Sequence, residues 1–153
     1  MGCAGGTMST AFDYLEKNFA MAAADYPYNS AYAARGSCKY DAKRATTAMV
    51  SDYSFADSGD VDMMRQALTH QPIAAAVNAS GSSFQLYTSG ILDDGACSST
   101  EMNHAVTLVG YGAEYGQDYW IAKNTWGSDW GESGYIRVAV KPGAGICGIQ
   151  TTA

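Results

Sequence analysis

Two side chains in this sequence could exchange protons near neutral pH, His70 and His104, and their surroundings differ. His70 closes a polar stretch after an apolar-periodic segment, where a cation interacts favourably with a helix dipole, and it reads as structural or exposed. His104 opens the apolar run Ala105-Val106-Thr107-Leu108-Val109-Gly110-Tyr111, and a histidine at the mouth of a rigid strand is well placed for catalysis. Taken alone, it reads more readily as structural than as catalytic. Downstream, Lys123-Asn124-Thr125-Trp126-Gly127 sets an amide and a large aromatic at the end of another apolar run. Asn124 could accept a hydrogen bond from one ring nitrogen of His104, fixing its tautomer and aiming the other nitrogen at a nucleophile. Trp126 could shield that bond from water or be ordinary core.

The elements that would position these groups follow from periodicity and punctuation. Met8, Ala11, Phe12, Leu15 and Phe19 recur at intervals of three and four, which predicts a core-facing helix from Thr7 to about Ala24. Asp25-Tyr26-Pro27-Tyr28 stops it, and Asn29 to Tyr40 reads as an exposed loop around Cys38. A second helix begins near Ser58 or Asp60 and buries Val61, Met64, Ala67 and Leu68 before Pro72. Ile73 to Ala79 reads as a buried strand. A polar turn then leads to Phe84–Tyr87, with further strand candidates at His104–Tyr111, Asp118–Lys123 and Gly134–Val140. Several strands joined by short loops favour an antiparallel sheet or barrel. The absence of repeats, low-complexity tracts and long linkers predicts one main core, with no separate second domain.

Composition narrows the function classes. The 153 residues are 47% hydrophobic and 16% charged with 17 glycines, as in a loop-rich globular domain. Fifteen acidic residues against 9 basic ones give a net charge of −6 without a basic run, which argues against nucleic acid and anionic membranes as partners. Apolar stretches such as Ile73–Val77 fall far short of the roughly 20 residues of a membrane helix. The Met1-Gly2-Cys3 start lacks the Ser or Thr that myristoylation wants at the sixth position, where Gly6 stands, and no secretory leader opens the sequence. Cys3, Cys38, Cys97 and Cys147 lie far apart without a CxxC pair, favouring structural disulfides over zinc, and no metal or cofactor is expected. Asn78-Ala79-Ser80 is a candidate N-glycosylation tripeptide.

Taken in order, the motifs resemble the papain and cathepsin family of cysteine peptidases along the whole chain. Gly2-Cys3-Ala4-Gly5-Gly6 resembles the family's GCxGG segment, and Asp25-Tyr26-Pro27-Tyr28 its YPY loop. Ser83-Phe84-Gln85-Leu86-Tyr87 with Ser89-Gly90 resembles SFQLY and SG. Asn103-His104-Ala105-Val106 and Val109-Gly110-Tyr111-Gly112 resemble the histidine strand, Trp120 to Trp130 the family's KNSWG and WG run, and Cys147-Gly148-Ile149 its CGI. Thr125 replaces the usual serine and Asn103 the usual aspartate, the latter removing a negative charge beside the histidine.

The resemblance implies an α+β papain-like fold: the trailing helix of the helical half, over residues 1–40, and mainly the antiparallel β-barrel half over residues 41–153. It makes His104 the general base and acid and Asn124 its orienting partner. The nucleophile of the family sits in a CGSCW-type segment, about 26 to 46 residues before Met1 by the expected spacing. None of the four cysteines present is followed by Trp or Tyr. The resemblance also pairs Cys97 with Cys147 and leaves Cys3 and Cys38 to pair with the upstream segment. Closing a loop of about 50 residues through Cys97 and Cys147 would contribute about 3 to 4 kcal/mol.

Substrate is expected to lie extended against Gly5 and Gly6, with Asn103 and Trp126 also at the binding site. By the same resemblance Thr7, Met8, Ala76, Ala105 and Thr152 line the pocket for the second residue before the scissile bond, where small apolar walls favour a hydrophobic side chain. For Met8 and Ala76 a plain core role is the alternative. The expected function is thiol endopeptidase acting on peptide or protein substrates, lysosomal, vacuolar or secreted. Without the upstream segment as partner the isolated chain is predicted inactive. The alternative is a non-enzymatic homologue that binds extended peptides or a protein partner.

Overall fold

The computed structural model describes residues 4–29 and 36–153, which fall into two compact units, Met1–Ser54 and Phe55–Ala153. Cys3 and Gly2 lie outside the described residues, as does part of the loop expected over Asn29–Tyr40.

In the first unit the Thr7 side chain accepts from Thr10 N–H at 3.2 Å and starts helix α1 (Met8–Leu15), satisfying one of the amides a helix leaves free at its first turn. The helix expected to reach Ala24 ends at Leu15, and none of its residues is buried, so the expected core-facing role is not met within this unit. The early end has a backbone cause. Ala20 donates to the Ala48 carbonyl at 2.8 Å and accepts from Thr46 N–H at 2.8 Å, so its peptide groups are committed to a neighbouring segment. Asn18 Nδ2 caps the Tyr14 carbonyl at 3.0 Å. Periodicity could not show this competition, because the competing partners lie more than twenty residues downstream. Cys38 is a free, exposed thiol.

The second unit holds all the named strands. Asp60 caps helix α2 (Val61–Leu68) by accepting from Met63 N–H at 2.8 Å, and Met64 is fully buried beneath it. Beyond the helix His70 is exposed, as expected. Strand β1 (Ile73–Val77), short helix α3 (Ser82–Gln85), β2 (Ile91–Leu92), β3 (His104–Glu114), β4 (Gln117–Lys123) and β5 (Tyr135–Ala139) follow, with a 3-10 turn at Ile146–Gly148. The sheet order is β1-β3-β4-β5-β2, antiparallel except for the parallel β2–β5 pair. The two-residue β2 carries no period of its own and was not legible in sequence. Val106 and Leu108 of β3, Trp120 and Ala122 of β4 and Ile136 and Val138 of β5 alternate inward onto Phe84, Val77 and Ile149.

The C-terminal segment closes the outer side of β1: Ala76 N–H donates to the Thr152 carbonyl at 2.9 Å and Asn78 N–H to that of Cys147 at 2.9 Å. Cys147 is joined to Cys97, as the resemblance implies. Gln150, 1% exposed, has its amide fully used: Oε1 accepts from Trp120 Nε1 at 3.1 Å, and Nε2 donates to the carbonyls of Lys141 and Gly143 at 2.7 and 2.8 Å. Asn78 is also buried, donating to the Glu101 carbonyl at 2.6 Å and accepting from Ser80 N–H. A side chain held inward in this way is not presented for glycosylation, which removes the tripeptide reading.

A charged buttress stands behind the loop that follows β4. Arg137 donates through Nε and Nη2 to the two oxygens of Glu132 at 2.9 and 2.8 Å, pairs also with Glu114, and lies over the Tyr119 ring. Glu132 in turn accepts from Gly90 N–H at 2.9 Å. Gly131 carries φ +58°, and a Cβ there would meet the Tyr135 carbonyl oxygen at 2.5 Å, so the turn into β5 requires glycine.

Two outcomes are expected of this unit. Reduction of Cys97–Cys147, or Cys97→Ala with Cys147→Ala, lowers unfolding free energy by about 4 kcal/mol from the loop-closure argument, measurable in urea melts with and without reductant. The Arg137 guanidinium, chiefly by hydrogen bonding, holds the Glu132 carboxyl below its ordinary value near 4.5. Its stabilisation is therefore complete above that value and fades as pH falls through the lowered one. Glu132→Gln should cost roughly 1 to 2 kcal/mol at neutral pH, and its difference from the parent should shrink in melts taken below pH ~4.

Candidate active site

His104 opens β3 opposite Val77 of β1, and Asn103 beside it donates its backbone N–H to the Val77 carbonyl at 3.1 Å. Asn124 follows the last residue of β4, where its N–H donates to the Gly134 carbonyl at 2.9 Å. The antiparallel register pairs Thr107 with Lys123, so the start of β3 meets the end of β4 and the two side chains arrive on the same end of the sheet. His104 Nε2 lies 2.8 Å from Asn124 Oδ1.

The chemistry of that contact fixes the proton. Asn124 Oδ1 also accepts from the Thr125 backbone N–H at 2.8 Å, so the carboxamide atom facing the ring is an acceptor. Nε2 must therefore donate, and neutral His104 keeps its lone pair on Nδ1, the nitrogen left for proton exchange. Asn124 is only 5% exposed, and its Nδ2 is buried without a hydrogen-bond partner among the described residues.

Aromatic rings shield the bond. Trp126 stacks on His104 with centroids 5.0 Å apart and 29° between planes, while its own outer surface leaves it 41% exposed. Trp126 is thus not ordinary core. Phe84 meets His104 and Trp126 edge-on at 6.4 and 5.7 Å, and Trp130 packs on Phe84 and Trp126 at 5.7 and 5.3 Å. Trp130 is held by its Nε1 donating to the Gln85 carbonyl at 3.0 Å. Sequence reasoning had not assigned Phe84 or Trp130 a role at the site; the four-residue spacing of Trp126 and Trp130 was the available signal.

The other expected site residues divide between the units. Ala76 and Ala105 are register partners, and Ala76 is bonded to Thr152, so these three are together at the β1–β3 edge, with Ala105 exposed. Gly5, Gly6, Thr7 and Met8 belong to the first unit, where both glycines are exposed, Thr7 caps α1 and Met8 is half-buried. Asn103 turns its amide toward a neighbouring loop, accepting from Ala79 N–H at 2.9 Å and donating to Ser80 Oγ at 2.5 Å. Ser80 is a contact the sequence reading had not singled out.

A histidine aimed by a buried asparagine and roofed by tryptophan is an acid–base unit suited to activating a nucleophile. Comparison with known proteins agrees. The chain is 44% identical over 99% of its length to the probable cysteine protease RD21B of Arabidopsis thaliana, covering 32% of that protein. It is 39% identical over 99% of its length to cysteine proteinase 3 of Dictyostelium discoideum, covering 44%. The chain thus spans about a third to under half of these relatives. Among solved structures, bromelain protease from Ananas comosus superposes with a TM-score of 0.87 at 39% identity, covering 99% of this chain and 69% of that one. Digestive procathepsin L 3 of Tenebrio molitor gives 0.88 at 38% identity, covering 98% and 48%. The family described as papain family cysteine protease matches residues 1–153, and the chain belongs to that family.

Proposed function

We propose that the chain is the histidine- and asparagine-bearing portion of a thiol endopeptidase. The observation that carries this is the 2.8 Å contact between His104 Nε2 and Asn124 Oδ1 beneath Trp126. In the proposed reaction, a cysteine thiolate from the portion of such proteins that this chain does not span pairs with the His104 imidazolium. The sulfur attacks the peptide carbonyl carbon, and the carbonyl π pair moves to oxygen. As the tetrahedral adduct collapses, the C–N bond breaks and Nδ1 gives its proton to the leaving amine. Neutral His104 then takes a proton from the water that cleaves the thioester, restoring thiolate and imidazolium and releasing the acid. Asn124 keeps the ring in one orientation through both transfers, so no reorientation is needed between them.

The small walls of Ala76, Ala105 and Thr152 favour a hydrophobic side chain at the second residue before the scissile bond. Gly5 and Gly6 of the first unit, with backbone free of side chains, suit an extended substrate strand. We assign residues 1–40 to the helical half of the family fold, with Cys3 and Cys38 pairing to the upstream segment. The Cys97–Cys147 disulfide supports a lysosomal, vacuolar or secreted setting, since such bonds persist in oxidising compartments.

Hydrolysis of fluorogenic dipeptides with a hydrophobic penultimate residue tests the reading. In the protein carrying its upstream segment, His104→Ala should lower kcat/KM by at least about 10³-fold. Asn124→Ala should lower kcat by about 10- to 100-fold, because the ring loses the partner that orients it. The chain alone should show no turnover under reducing conditions. Turnover by the chain alone that disappears in His104→Ala would place the nucleophile within these residues and overturn the assignment.

A further inference from the structure

The contacts that place the indole over His104 do not end at Trp130. Trp130 is fixed at one point by the bond from Nε1 to the Gln85 carbonyl, and a single hydrogen bond leaves the plane of an indole free to tilt about it. Among the described residues three rings bear on that plane. Phe84 and Trp126 themselves meet His104, whereas Tyr87 touches Trp130 from outside the site, with centroids 5.6 Å apart and 45° between planes. Tyr87 is only 6% exposed.

The far end of that phenol is anchored. Its hydroxyl donates to the Gly90 carbonyl at 2.5 Å and accepts from the Arg137 backbone N–H at 3.3 Å. Both partners belong to the charged buttress: Gly90 gives its own N–H to Glu132 Oε1 at 2.9 Å, and the Arg137 side chain pairs with the same carboxylate. The ring also runs close to Gly131, where a Cβ would meet it at 3.0 Å, so the turn into β5 closes directly on the phenol. A buried phenol whose donor and acceptor are both used has one orientation. The same ring without its hydroxyl is held by packing alone, which resists sliding less than directional bonds do.

We propose that Tyr87 is a positioning residue of the His104 site: its anchored ring sets Trp130, Trp130 sets Trp126, and Trp126 holds its stack on the imidazole. Its effect on turnover rests on the peptidase reading; its effect on the stack does not. Two variants test it. Tyr87→Phe keeps the ring and removes both hydroxyl bonds, and Tyr87→Leu removes the ring contact with Trp130 as well. The ring protons of His104, displaced by the ring current of Trp126, are read by nuclear magnetic resonance in the chain itself at a pH where the imidazole is neutral, with exposed His70 as internal reference. A change of stability alone leaves these native-state shifts in place. They should move toward unstacked values in Tyr87→Phe and further in Tyr87→Leu. In the protein carrying its upstream segment, Tyr87→Phe should lower kcat about three- to tenfold with KM unchanged, because the imidazole and not the substrate is displaced. His104 protons unmoved in Tyr87→Phe, or a loss carried by KM alone, would overturn the proposal. If the longer parent protein cleaves no peptide, the function proposed above falls, and the His104 shifts alone decide the role of Tyr87.

Discussion

The pairing of β3 with β4 is the constraint from which the site descends. Once Thr107 lies opposite Lys123, the residue that opens β3 and the residue that follows β4 stand at one end of the sheet. A one-residue slip would turn every side chain of a strand to the opposite face, burying the exposed Ala105 and Thr107 while exposing Val106 and Leu108. The hydrophobic effect thereby enforces the geometry of the candidate site indirectly. The core prefers one register by several kilocalories per mole, on the order of the burial of a few large side chains, and the single hydrogen bond between His104 and Asn124 inherits that precision.

Among the described residues, the buried polar side chains Asn78, Asn124 and Gln150 hold the loops around this frame. Each is a carboxamide, which can donate and accept at once without the desolvation cost of an ion. Gln150 ties the indole of Trp120 to the Lys141–Gly143 turn, Asn78 ties the end of β1 to the loop before β3, and Asn124 ties the end of β4 to the histidine. Satisfied amides of this kind fix loop positions that apolar packing alone would leave adjustable. The Asn124 Nδ2 hydrogens, which have no partner among the described residues, are the exception, and it sits beside the histidine.

Legibility in the sequence followed the range of the interactions. The β1, β3, β4 and β5 strands and the Asp60 cap were readable because alternation and capping are encoded within a few neighbouring residues. The early end of α1 was not, because Ala20 is taken by Thr46 and Ala48, and a contact at that separation leaves no local signature. For the same reason the His104–Asn124 pair could be suggested by residue type but needed the register to bring it together. Gln150 reads in sequence as an ordinary polar residue near a terminus; only the fold places it beneath Trp120. The Asn78 tripeptide misled in the opposite direction, since a local motif carries no information about whether its first residue faces water.

The aromatic roof and the charged buttress behind it form one mechanical chain. Glu132 and Arg137 hold the turn that ends the loop, Gly90 is bonded to Glu132, and Tyr87 packs on Trp130 at 5.6 Å. Trp130 in turn supports Trp126, which lies on the imidazole. A ring stacked on His104 must exclude water from the Nε2–Oδ1 bond without blocking Nδ1, so its position has to be set by something other than the histidine. An exposed tryptophan with one face in solvent cannot be positioned by burial alone. The bidentate pairing of Arg137 with Glu132 supplies the missing rigidity, because two parallel hydrogen bonds fix direction as well as distance. The site is consequently built from two kinds of force: apolar register places the histidine and asparagine, and directional charge places the shield over them.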